Sequence, residues 1–146
     1  MPYTFENRVG RLIEAELAST LTPEEAQAFR TKMYLTLSRI EGRAVLLGDL
    51  RRCEMFSADV SDRLITMLKT DTPKVERTAF LVREGPFANQ VERMVAAATK
   101  AATVEGRPAP PRRSFRERDR LSARDWLSEV LTEPERARLF EIFRGK

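Results

Sequence analysis

The stretch Ala44-Val45-Leu46-Leu47-Gly48-Asp49-Leu50 decides the fold of this chain, because four successive apolar residues precede a turn-like Gly-Asp. A strand with one face in water alternates apolar and polar residues, whereas a strand covered on both faces is apolar at successive positions. This run therefore predicts a central strand, buried on both faces, in a mostly parallel sheet.

The residues before this strand predict a hairpin and a helix. Apolar and polar residues alternate in Tyr3–Phe5 and again in Ile13–Leu17, on either side of the turn-like stretch Asn7–Gly10. Thr22-Pro23-Glu24-Glu25 then has three features that begin many helices: a capping threonine, a proline at the first helical position and a glutamate at the third helical position. Gly42 is expected to end that helix.

The residues after the central strand alternate between helical and strand patterns. In order, we expect a helix from Ser57 to about Asp71, a strand over Val75–Val82, a helix from Phe87 to about Ala102, an exposed proline-rich connector over 104–111, an edge strand over Arg113–Phe115, and two C-terminal helices within 119–144. The order ββαβαβαβαα predicts one α/β domain over residues 1–146, with a mixed, mostly parallel sheet, an opening hairpin and helices packed on it.

Composition excludes several classes of protein. Histidine is absent, so histidine-dependent catalytic triads and zinc sites built from cysteine and histidine cannot form. Cys53 is the only cysteine, which forbids an intrachain disulfide and suits a reducing cytoplasm. The six glycines form no phosphate-binding motif, and no apolar run is long enough to span a bilayer. We expect a cytoplasmic protein without metal, cofactor or catalytic residues.

The net charge of +4 arises from the C-terminal part of the chain, where residues 107–146 hold eleven basic and seven acidic residues. Four arginines in this part of the chain are candidates to bind an anion. Three arginines at helical spacing would also share one face if residues 116–124 formed a helix. The four candidates are Arg112, Arg113, Arg116 and Arg120; the shared face would hold Arg116, Arg120 and Arg124. Acidic residues interleave with them, so nucleic acid is disfavoured and a solvated, salt-bridged surface is the simpler interpretation.

The segment after Asp49 holds three further candidates, each with a structural alternative. Cys53 follows Arg51 and Arg52, which could lower its pKa, although a structural thiol is the more common case. Ser57 stands where a helix N-cap belongs and could also carry a phosphate. Asp59 and Asp62 could hold a cation, but acidic residues are also common near the positive end of a helix.

The element order and the Ala44–Leu50 strand ending in Asp49 resemble the STAS-like proteins, which include bacterial anti-sigma-factor antagonists. Ala123-Arg124-x-Trp126-Leu127 after Phe115 resembles the closing signature of a bacterial subgroup whose fold is shared with CRAL-TRIO lipid-transfer domains. The family's phosphoserine turn, Asp-Ser-Ser-Gly, matches Phe56-Ser57-Ala58-Asp59 by position only. Just one serine is present, without the flanking Asp and Gly.

The resemblance implies a non-enzymatic regulatory module that binds a protein partner through the segment from Arg51 to Asp62. Its expected site residues are Asp49, Arg51, Arg52, Phe56, Ser57 and Asp59. The alternative is a lipid or small apolar ligand in a pocket between helices and sheet, lined by Phe56, Phe87 and Met94.

Overall fold

The computed structural model describes residues 3–104, 106 and 110–145, and its elements follow the predicted order ββαβαβαβαα. The strands are β1 (Tyr3–Val9), β2 (Leu12–Leu17), β3 (Ala44–Asp49), β4 (Val75–Val82) and β5 (Arg112–Arg116). The helices are α1 (Pro23–Arg39), α2 (Ala58–Asp71), α3 (Pro86–Val104), α4 (Arg120–Ser128) and α5 (Glu133–Arg144). Single 3-10 turns at Thr72–Lys74 and Glu117–Asp119 precede β4 and α4.

The five strands form one sheet in the order β1-β2-β3-β4-β5. β1 and β2 form the predicted antiparallel hairpin, and every other neighbouring pair is parallel. β3 lies at the centre, where Leu46 pairs with Ile13 on one side and Thr78 on the other. All six of its residues are buried, which confirms the prediction from the Ala44–Leu50 run.

Helices cover the sheet on both faces, and β3 contributes alternate side chains to the two cores. Ala44 and Leu46 join the larger core, which α1, α2 and α3 close with residues such as Met33, Val60 and Val91. Val45 and Leu47 join the smaller core under α4 and α5, whose residues include Leu127 and Leu139.

The predicted helix starts are confirmed, whereas one helix end and the connector differ from expectation. α1 begins after Thr22 with a complete capping box, but it ends at Arg39, so Gly42 lies in the turn beyond it, with φ of +85°. The expected connector over 104–111 begins with the last residue of α3, and residues 105 and 107–109 lie outside the described residues. Pro110 is buried rather than exposed.

The condition for a shared arginine face, a helix over 116–124, is not met. Arg116 ends β5, a 3-10 turn follows, and Arg120 is the first residue of α4. Residues at helical spacing share a face only within one helix, so Arg116 and Arg124 do not form one surface.

An ion pair holds the C-terminal helix layer to the hairpin. Glu135, 3% exposed at the start of α5, accepts the backbone N–H of Arg11 at 2.6 Å and the backbone N–H of Thr132 at 2.8 Å. The Arg11 guanidinium lies 3.4 Å from Glu135 and 3.1 Å from Glu76 of β4. Burial acts to raise the pKa of Glu135, but the hydrogen bonds from Arg11 and Thr132 hold that pKa below its usual range.

Gly10, in the hairpin turn beside this ion pair, is expected to tolerate no side chain. Its φ is +53°, and a Cβ atom there would be built into the Glu135 carboxylate. Gly10→Ala should lower the free energy of unfolding by more than ~2 kcal/mol, measured by urea denaturation. Gly42→Ala is the matched control, since Gly42 also has a left-handed φ, +85°, but a Cβ atom there would lie 3.9 Å from the Arg11 side chain, an ordinary van der Waals distance. Equal losses in the two variants would contradict a role for the Glu135 contact.

Arg112, one of the expected anion-binding residues, points into the protein. It is 9% exposed and donates to the carbonyl oxygen of Leu68 at 2.6 Å, so it is not available to an anion at the surface. Asp71 is the acidic group that acts on it electrostatically. Burial raises the pKa of Asp71 to about 6, and the positive charges of Arg30 and Arg112 only partly oppose that rise.

The raised pKa of Asp71 predicts a pH-dependent effect on stability. Because its folded pKa lies above the ordinary 3.8, the folded state binds more protons between pH ~4 and ~6, and this group's contribution to stability is lost as pH rises through that window. Asp71→Asn cannot ionise. Its free energy of unfolding should match the wild type at pH ~4 and exceed it by ~1–2 kcal/mol at pH ~7.5. A difference in the free energy of unfolding between the two proteins that stays constant from pH ~4 to ~7.5 would contradict the raised pKa of Asp71.

Candidate functional site

The loops that follow β3 and β4 meet at the carboxyl edge of the sheet, where ligands of open α/β folds bind. The first of them, residues 50–57, is called the β3–α2 loop below. The second comprises residues 83–85. Together they carry most of the residues expected to form the partner site.

A two-point ion pair between Asp49 and Arg51 shapes the start of the β3–α2 loop. Asp49, 5% exposed, accepts the backbone N–H of Arg51 at 3.1 Å and two guanidinium donors at 3.0 Å each. The hydrogen bond to Asp49 raises the pKa of Arg51. Arg51 also lies 3.4 Å from Glu117, beyond β5. Asp49 and Arg51 therefore order the loop, while Arg52 is exposed and lies 3.5 Å from Glu16.

Cys53 is a structural thiol, and the alternative of a reactive one is wrong. It is 2% exposed, and its Sγ donates to the carbonyl oxygens of Leu17 at 3.5 Å and Ser19 at 3.4 Å. Burial, with a smaller effect from the negative charge of Asp49, raises its pKa to about 12. The thiolate that would react is therefore scarce at neutral pH.

The middle of the β3–α2 loop displays an apolar side chain on a fixed backbone. Met55 is 46% exposed, and its carbonyl oxygen accepts the Thr20 hydroxyl at 3.1 Å. The next residue, Phe56, is buried, and the Gln90 side-chain amide accepts its N–H and donates to its carbonyl, both at 2.9 Å. These three hydrogen bonds hold the backbone from the carbonyl of the exposed methionine to the carbonyl of Phe56.

Met55 borders a surface depression of about 220 Å³ between the two loops. Its lining residues are Cys53, Glu54, Met55 and the segment Arg83–Phe87. An exposed apolar side chain on a backbone that is already ordered can be covered at a low cost in conformational entropy. Sequence reasoning selected the loop but not Met55 or Gln90.

Ser57 caps α2, as expected. Its Oγ accepts the backbone N–H of Val60 at 3.2 Å, and its carbonyl oxygen accepts the N–H of Ser61 at 2.9 Å. Asp59 is exposed and pairs with Arg63 at 2.9 Å, one helical turn later. Within the described part of the chain, no group of three or more acidic or cysteine side chains could hold a metal ion.

Two variants of Ser57 test whether its side chain stabilises the start of α2. Ser57→Ala removes the cap and should lower the free energy of unfolding by ~1 kcal/mol in urea. Ser57→Asp restores a good cap and adds a charge that the helix N-terminus favours, so its stability should return to the wild-type value. An aspartate variant as unstable as the alanine variant would contradict the cap.

The expected apolar pocket is present only as a small cavity. Phe56 and Met94 line it together with other side chains of the larger core, and its volume is about 50 Å³. Phe87 instead packs edge-on against Phe56, with ring centroids 5.2 Å apart, and lines the surface depression. Such a volume corresponds to about two water molecules. It lends no support to lipid binding.

The other expected anion-binding arginines are engaged in contacts with the protein. Arg116 pairs with Glu84 and, at 3.3 Å, with Glu92. Arg113 stacks on Phe115 and Trp126, each ring centroid 5.2 Å from its guanidinium carbon. Arg120 donates to the carbonyl oxygen of Glu117 at 3.4 Å. These contacts favour the salt-bridged surface.

Comparison with known proteins establishes the fold. No family model matches the sequence of this chain, and no curated protein matches it. Its structure is similar to the crystal structure of an uncharacterized protein of the DUF3478 family, with a SpoIIAA-like fold, from Shewanella loihica PV-4. The TM-score is 0.58 at 16% sequence identity, over 86% of this chain and 93% of that chain. The chain has a SpoIIAA-like α/β fold, which confirms the expected STAS-like architecture.

Across residues 3–104, 106 and 110–145, none of the helices combines the length and apolar character needed to cross a bilayer.

Proposed function

We propose that residues 1–146 form one STAS-like regulatory domain that acts without catalysis, by binding a protein partner at the carboxyl edge of its sheet. The observation that carries this proposal is the exposed Met55 on a backbone tied by Thr20 and Gln90. The SpoIIAA-like fold supports it as well.

Because the backbone around Met55 is already ordered, the loss of conformational entropy on binding a partner is small. A partner that covers Met55 gains the burial of a large apolar side chain, which contributes ~1–2 kcal/mol for a side chain already half-buried. Little of that gain is offset by ordering the loop, because its hydrogen bonds exist before the partner arrives. Methionine also adapts its shape to an irregular partner surface.

The expected site residues divide into two roles in this proposal. Asp49, Arg51 and Phe56 are mostly buried and hold the β3–α2 loop in place. Arg52, Ser57 and Asp59 are exposed beside Met55 in the chain and form the polar rim. An exposed Ser57 is also accessible to a kinase, as the family resemblance implies.

The proposal is tested by capture from an extract of the source organism, using wild-type protein, Met55→Glu and Leu35→Glu. Leu35 is 50% exposed on α1, away from the carboxyl edge, so it is a matched control for placing a charge on an exposed apolar residue. Both variants should keep the wild-type thermal stability. Met55→Glu should retain a specific partner at least about tenfold less well, whereas Leu35→Glu should retain it like wild type.

Competition with free wild-type protein identifies which captured proteins are specific. If the Met55 and Leu35 variants retain the same proteins at the same level, the carboxyl edge is not the partner site. If wild-type protein captures no specific protein at high micromolar concentration, the protein-binding function itself fails.

A further inference from the structure

A second exposed apolar surface lies on the opposite side of the sheet from α1–α3, where α4 and α5 pack together. It is called the α4–α5 patch and comprises Leu121, Arg124, Arg136, Ala137, Phe140 and Arg144. Leu121 is 46% exposed and Phe140 is 39% exposed. Two of the large apolar side chains exposed in the described residues therefore belong to this pair of helices.

The patch is continuous across the two helices. Arg124, one turn after Leu121 on α4, lies over the Phe140 ring of α5, with its guanidinium carbon 4.5 Å from the ring centroid. Along α5, Glu133, Arg136, Ala137, Phe140 and Arg144 line a shallow groove of about 380 Å³. Ala137, the smallest of them, leaves room for an incoming side chain.

The charges of the patch are mostly positive and incompletely neutralised. Arg124 pairs with Asp125 at 2.9 Å. Arg136 donates to the carbonyl oxygen of Leu131 at 2.6 Å. For Arg136 and Arg144, no carboxylate partner is found within the described ranges, and Glu133 is the single acidic residue that lines the groove. The patch thus differs from the surface near β5, whose Arg116 is engaged by Glu84 and Glu92.

The geometry points to the α4–α5 patch as a docking site for an acidic amphipathic protein segment, distinct from the partner site at the carboxyl edge. Its apolar side chains would lie over Ala137 against Phe140, and its carboxylates would meet Arg136 and Arg144, whose planar guanidinium groups bind carboxylates at two points. A second copy of the chain fits less well, because a two-fold contact would bring these arginines towards one another. The groove favours a protruding side chain over a flat bilayer. A nucleic-acid backbone carries a negative charge at every nucleotide and would meet Glu133 and Asp125, whereas a peptide can place its carboxylates at Arg136 and Arg144 and uncharged residues beside those two acidic groups.

The test is an NMR titration of the isotope-labelled full chain with a synthetic peptide of about 14 residues, with leucines at helical spacing and glutamates elsewhere. The matched peptide has glutamine in place of every glutamate. We expect amide shifts confined to α4 and α5, an affinity at least about tenfold lower for the glutamine peptide, and an affinity that falls as salt rises.

Arg144→Glu should weaken binding of the glutamate peptide about tenfold. Arg93→Glu, which reverses an exposed charge on α3, should leave it unchanged. No hydrogen bond or ion pair joins either arginine to another described residue, so both variants should fold, with Arg144→Glu slightly less stable because Arg144 lies in the last turn of α5, where the helix dipole favours a positive charge. Met55→Glu serves as a further variant that should bind the peptide like wild type.

Four outcomes would overturn the inference: no binding of the glutamate peptide, equal binding of the two peptides, shifts located elsewhere, or equal effects at Arg144 and Arg93. Arg144-dependent binding to vesicles of phosphatidylglycerol, or to double-stranded DNA, without binding of the acidic peptide would likewise replace it. None of these results bears on the capture experiment at Met55, so the two proposals fail separately.

Discussion

The contact between Arg11 and Glu135 decides how the second helix layer sits on the sheet. It joins the hairpin turn, α5 and, through Glu76, the start of β4. All of these groups lie at the end of the sheet where the parallel strands begin. The opposite end, where those strands finish, carries the loops of the partner site that we propose, so the Arg11–Glu135 contact and that proposed site lie at opposite edges of one sheet. A buried carboxylate such as Glu135 is costly to leave unpaired, which makes this arrangement hard to alter.

The arginines of the C-terminal part of the chain differ in the groups that contact them within the fold. The C-terminal arginines look alike in the sequence, yet Arg112 is buried, Arg113 is stacked on aromatic rings and Arg116 is held by two glutamates. On the outer side of α5, Arg136 and Arg144 have no carboxylate partner among the described residues. Net charge therefore says little about where an anionic partner could bind, and the pairing of each guanidinium says more.

Features that depend on neighbours in the chain could be predicted from sequence, and features that depend on distant contacts could not. The capping box at Thr22 and the buried β3 strand follow from local patterns, and both were correct. The Gln90 amide lies 34 residues from the Phe56 backbone that it clamps, and no periodicity signals such a pair. The burial of Arg112 could not be predicted for the same reason, since its hydrogen-bond acceptor, the carbonyl oxygen of Leu68, lies 44 residues away.

The two strands at the edges of the sheet affect how readily the folded protein aggregates at high concentration. β1 and β5 each leave one side of their backbone unpaired by another strand of the described sheet, and such edges can recruit strands from other molecules into fibrils. β1 carries Glu6 and Arg8 and has an irregular register between Glu6 and Val9, and β5 carries Arg113 and Arg116. Charged, irregular edges are poor templates for strand addition. The charges and the irregular register of these two strands therefore disfavour edge-to-edge association of the folded chain.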